Sequence, residues 1–95
     1  MIRIEDWAVI ESPFTGETHL SGKVYGHPTY RDGVSVVSSS IVGGNAKEKV
    51  IITMSGSHYT LGQVNENYEK IFPNAEERVW KAIQMMEVAN NAQNN

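Results

Sequence analysis

The sequence predicts an α+β domain: an antiparallel β-sheet of about five strands, then a short helix and a longer C-terminal helix. Three observations carry that prediction. Short β-branched and aromatic segments, separated by turn residues roughly every ten positions, fill the first two-thirds of the chain. Beyond Gln63 the apolar pattern changes to a helical period. The length of 95 residues suits one domain near the small end of what holds a core unaided. Residues 1–89 form that domain, and 90–95, "NNAQNN", read as a polar frayed tail.

The elements follow in order. "RIEDWAVIES" is a strand of mixed character, closed by Pro13 and the turn "PFTG". "THLSGKVYG" sets Leu20, Val24 and Tyr25 among polar residues and ends at Gly26. The segment "GHPTYRDG", 26–33, is a loop bounded by glycines. "GVSVVSSSIV" offers a partial period of two at Val34, Val36 and Ile41. "GGN" at 43–45 is a hairpin signal, because Gly and Asn accept the positive φ of such turns. "KEKVIITM" returns as the partner strand, and the result is an antiparallel sheet or a small barrel. In "TMSGSHYTLG" the small residues Ser55-Gly56-Ser57 interrupt a strand-like run and read as a β-bulge.

"NENYEKIF" is a short helix stopped by Pro73. Asn74 with Glu77 forms an N-cap pair for the helix "AEERVWKAIQMMEVA", and Glu77 with Lys81 an i,i+4 ion pair. Ala75, Val79, Ala82, Ile83, Met86 and Ala89 make one apolar stripe that docks the helix on the sheet. Trp80, Met85 and Val88 fall outside that stripe. Either the preceding helix covers Trp80, or these three residues form an oligomer interface, and the second reading is preferred.

Composition excludes several functions. Eight Lys and Arg against eleven Asp and Glu give a net charge of −3, and the cations are scattered, mostly beside acids. Duplex nucleic acid is therefore not an expected partner. A small anion needs only one or two cations and some N–H donors, so it remains open. The absence of cysteine removes disulfides, thiolate metal sites and cysteine nucleophiles, and fits a cytoplasmic setting. "MIRIEDWAVIES" matches neither a signal peptide nor a membrane anchor.

Catalytic patterns are thin. Ser57 and His58 are adjacent in a strand-like run and point to opposite faces, which disfavours proton sharing. His19, His27 and His58 lack helical metal-ligand spacing, so no metal and no cofactor are expected. Glu76 and Glu77 suit the first turn of a helix as capping charges.

What remains is a polar surface with aromatics nearby. A turn centred on Gly44 puts residues near 38 opposite residues near 50 and draws the 26–33 loop towards Ser55-Gly56-Ser57. Hydroxyls and amides there suit a phosphate or ribose, Arg31 a phosphate, and Tyr30 or Tyr59 a stacked base. The competing reading is a bulged edge strand with Arg31 paired to Asp32.

The segments "SGKVYGHPTYRDGVSVVSSSIV" and "TMSGSHYTLG", followed by a Tyr-containing helical tail, resemble small bacteriophage proteins. The pattern covers about Ser21 to Gly62 and looks like the Thoeris anti-defence proteins. Those are sponges that sequester a cyclic ADP-ribose immune signal without cleaving it. The resemblance implies a β-sheet with C-terminal helices, assembly through those helices, and a pocket between neighbouring subunits. It also implies ligand contacts at Tyr30, Arg31, Thr53, Ser55, Ser57 and Tyr59, with Lys23 and a neighbour's Arg78 as further cations. The expected function is thus stoichiometric sequestration of a nucleotide-like signal by a homo-oligomer in the cytoplasm of an infected bacterium. Rival readings are a module that grips a host protein through the apolar helix, a hydrolase or lyase acting on the same nucleotides, and a virion-associated structural protein.

Overall fold

The computed structural model describes residues 1–93, apart from the side chains of Val88 and of residues 90–93. Five strands run β1 (Ile2–Glu11), β2 (Thr18–Tyr25), β3 (Val34–Asn45), β4 (Val50–Thr53) and β5 (His58–Leu61). Two helices follow, α1 (Glu66–Ile71) and α2 (Ala75–Gln93). The α+β class and element order agree with the sequence. The sheet takes the barrel alternative, closing in the order β1-β2-β3-β4-β5, and it departs from the expected purely antiparallel pairing where the barrel closes. Successive strands of the meander pair antiparallel, so with an odd number of strands the first and last run in the same direction. Closure is accordingly parallel, through Ile2↔Tyr59, Arg3↔Thr60 and Ile4↔Leu61. It also removes the exposed strand edges of an open sheet.

β1 is bent where its register shifts between Glu5 and Ala8, and Asp6 there adopts φ 54°. The bend turns Trp7 inward, where it is 1% exposed. The indole N–H donates to the Gly62 carbonyl at 3.0 Å, so this large ring is buried with its polar atom satisfied. Ile4, Leu20, Val24, Ile51 and Leu61 complete the barrel interior, each contributing about 1.5–3 kcal/mol on burial.

α2 lies mainly against β3. Ala75, Val79 and Ile83 of the expected stripe are buried in the same core, and Met86 is half-buried. Ala82 and Ala89 are exposed, so the docking stripe is narrower than the sequence pattern. The helix runs on to Gln93, into the segment read as a polar tail, and Asn94 and Asn95 lie outside the described residues.

Four local expectations change. The β3–β4 turn is Ala46–Lys49, not "GGN": Gly43, Gly44 and Asn45 are paired strand residues opposite Ile52, Ile51 and Val50. Ser55-Gly56-Ser57 is not a bulge but part of the turn that joins β4 to β5. The Thr53 N–H donates to the Ser57 carbonyl at 3.1 Å, the Gly56 N–H to the Thr53 carbonyl at 2.8 Å, and Gly56 has φ 88°. Asn74 sits at φ 64° and receives the Arg78 N–H on its backbone oxygen. The side chain that caps a helix is instead Asn65, which accepts the Tyr68 N–H at 2.9 Å at the start of α1. Glu77 and Lys81 form no ion pair among the described residues; Glu76 pairs with Lys49 at 3.3 Å.

Candidate functional site

A groove of about 490 Å³ opens on the barrel wall between the 26–33 loop, β3 and the β4–β5 turn. The β3–β4 register positions it. With Ile41 opposite Thr53, the next outward residue of β3, Ser39, comes beside Ser55. The Ser55 N–H donates to Ser39 Oγ at 3.0 Å, and the Ser39 hydroxyl donates to Ser55 Oγ at 3.1 Å. Thr53 Oγ1 lies 3.3 Å and Ser57 Oγ 3.4 Å from the same Ser55 oxygen. Ser55 is thus the hub of four hydroxyls on three segments.

The loop supplies the opposite wall. It is pinched at its base by the Gly33 N–H to the Val24 carbonyl at 2.8 Å and the Gly26 N–H to Asp32 Oδ1 at 2.9 Å. Inside it, His27 Nδ1 accepts the N–H of Thr29 at 3.0 Å and of Tyr30 at 3.3 Å. The rings of His27 and Tyr30 lie 4.7 Å apart at 51°, a tilted aromatic pair. Tyr30 is thereby held over the groove with almost half of its surface exposed. Tyr59 comes from β5 and is buried, with its ring in the barrel core.

Of the six candidate ligand contacts, Tyr30, Ser55, Ser57 and Tyr59 line this groove together. Thr53 lies directly beneath, 1% exposed, and reaches the site only through Ser55. Arg31 is exposed on the loop but is not among the groove's lining residues. Nor does it pair with Asp32, whose carboxylate is taken by the Gly26 N–H. Of the further cations, Lys23 is exposed on β2, and Arg78 stacks over the Phe72 ring at 5.1 Å.

Ser39 and His27 were not among the candidates. Ser39 becomes legible once the turn is set at 46–49, because that register alone puts it beside Ser55. Its neighbours are used elsewhere: Ser38 Oγ accepts the Leu20 N–H, and the Ser40 hydroxyl donates to Glu17. His58 is exposed on β5 and does not line the groove. Among the described residues no cluster of three metal-ligating side chains occurs, and no helix is long and apolar enough to cross a membrane.

The residues read as an oligomer interface separate. Trp80 is half-buried, packed against the core and facing a shallow groove beside Gly44 and Ala46 of the β3–β4 hairpin. The hairpin, and not α1, is thus its neighbour in that groove. Met85 is 67% exposed, and the Val88 side chain lies outside the described residues. No family model, no curated protein and no solved structure matches the chain.

Proposed function

We propose that this chain is a non-catalytic binding protein that sequesters a small nucleotide-like signal by stoichiometric binding. The signal is of the cyclic ADP-ribose kind handled by the phage anti-defence proteins that the sequence resembles. The observation that carries the reading is the groove in which Tyr30, Ser55, Ser57 and Tyr59 meet around an aromatic-flanked cluster of hydroxyls. Exposed aromatic rings stack bases, and hydroxyls both donate to and accept from a ribose.

Binding without cleavage fits the surroundings of Ser55. Its oxygen is bracketed by other hydroxyls, which are weak general bases; no carboxylate lines the groove, and the Nδ1 of its one imidazole, His27, is taken by the Thr29 and Tyr30 N–H groups. Sequestration at signalling levels needs nanomolar affinity, about −12 kcal/mol. An open groove on one subunit falls short of that, so closure by a second copy of the chain, in the cytoplasm of an infected host, belongs to the proposal. Met85, 67% exposed on α2, is the apolar contact that helix would offer a second copy, or, in the second reading, a host protein.

The test is a thermal-shift screen against cyclic dinucleotides and ADP-ribose derivatives, with mass spectrometry of the ligand released on heating. A ligand at a hundredfold excess over its dissociation constant adds about 2.7 kcal/mol, a shift of several degrees at this size. Intact ligand recovered, with the shift lost in Tyr30→Ala, is the expected result. Cleaved ligand makes the protein an enzyme. No shift with any nucleotide sinks the reading.

A further inference from the structure

We infer that the groove recognises the uncharged, hydroxyl-bearing sugar ring of its ligand and leaves any phosphate outside, at the solvent. The inference rests on the nucleotide reading above and narrows it to one moiety.

Charge is the first argument. The groove is lined by no Lys, Arg, Asp or Glu, and Arg31, next in sequence to the lining residue Tyr30, is not part of it. The second argument is the fate of the backbone donors. A phosphate held without cations needs several free N–H groups converging on it. Here five of the amides around the site are spent within the protein. Ser55 N–H goes to Ser39 Oγ, Gly56 N–H to the Thr53 carbonyl, and Thr53 N–H to the Ser57 carbonyl. On the opposite wall, the N–H groups of Thr29 and Tyr30 both go to His27 Nδ1. These five cannot converge on an anion.

The hydroxyls, by contrast, retain capacity. Each carries one donor and two acceptor sites, so the cluster of Ser39, Ser55 and Ser57 satisfies itself and still has sites to offer. Tyr59 adds an independent observation. It is 5% exposed, and its hydroxyl bonds to no described residue, yet among the described residues no buried side-chain oxygen or nitrogen lacks a partner. The phenol oxygen is therefore not sealed in the core, and Tyr59 lines the groove. A donor–acceptor group at the end of a ring fixed in the core is rigidly placed, as discrimination of one hydroxyl pattern requires. Neutral hydroxyls that both give and take hydrogen bonds match the vicinal diol of a ribose, and the Tyr30 face covers the ring or the attached base.

Isothermal titration of the full chain with adenosine, 2′,3′-dideoxyadenosine and ADP-ribose tests this. Adenosine should bind within about tenfold of ADP-ribose, and neither dissociation constant should move more than about twofold between low and high salt, since no charge pair forms. The dideoxy compound should lose at least about tenfold, because the site's polar groups are then left unmatched. Tyr59→Phe removes one oxygen and should weaken adenosine by about fivefold while the melting temperature stays unchanged. ADP-ribose binding steeply weakened by salt, with adenosine inert, would overturn the inference and leave the nucleotide reading standing. Equal binding of adenosine and its dideoxy analogue would overturn it too. If none of the three binds, the inference and the nucleotide reading fall together.

Discussion

Gly44 and Gly56 flank β4, one on each side, and each is needed for a reason the other does not share. Gly44 lies in ordinary strand conformation, paired with Ile51. A Cβ there would stand 2.5 Å from the Val50 carbonyl oxygen and 3.2 Å from Ile83 Cδ1 of α2. Gly56 has nothing within 4 Å of such a Cβ but adopts φ 88°. One glycine lets a helix approach the barrel; the other lets the chain turn towards the groove. Glycine in a sequence marks an unusual backbone or a close approach, and the difference decides which element it belongs to.

Substitution separates the two directly. Gly44→Ala should be the more damaging, by about 1–3 kcal/mol, because a backbone carbonyl cannot give way as a side chain does. Gly44→Asn should be worse still. Gly56→Ala should cost about 1 kcal/mol through its left-handed φ, and Gly56→Asn less, since asparagine tolerates that region. Urea denaturation of the four variants reads both effects. The comparison breaks if Gly44→Ala is neutral, or if Asn at 56 is no better tolerated than Ala.

That contrast also explains what the sequence reveals and what it hides. The strands and helices are legible because their periodicities are local, and the parallel closure is not, because it follows from strand count and curl. "GGN" carries a turn signal, yet Ala46–Lys49 makes the turn, since Gly44 is claimed by Ile83, a partner distant in sequence. The resulting shift of register has a consequence at the groove. It moves Ser55 away from the start of β3 and sets it against Ser39. Tyr30, Ser55, Ser57 and Tyr59 are nonetheless found together, because the 26–33 loop folds back over the barrel wall to meet them. Arg31 shows the limit of reading by residue type: a guanidinium in the right loop is not thereby among the residues that line the groove.

The smallest effects belong to a second pair of like residues, Asn65 and Asn74. The sequence points to Asn74 as a helix cap, but the side chain that caps is Asn65, whose oxygen takes the Tyr68 N–H while its amide donates to Asp6 Oδ1 at 2.9 Å. Asn65→Ala should therefore cost about 1 kcal/mol, a typical value for a lost cap. Asn65→Asp divides the two roles: it keeps the acceptor for Tyr68 but sets a second carboxylate against Asp6. Its cost should fall as salt is added, whereas the cost of Asn65→Ala should not. At position 74 the side chain is not what matters. Asn74 lies at φ 64°, and its carbonyl, not its amide, receives the Arg78 N–H. Asn74→Gly should then be neutral or slightly stabilising, because glycine relieves the left-handed backbone while the carbonyl stays in place. A loss near 1 kcal/mol in Asn74→Gly, matching Asn65→Ala, would mean that the Asn74 side chain caps α2 in solution after all.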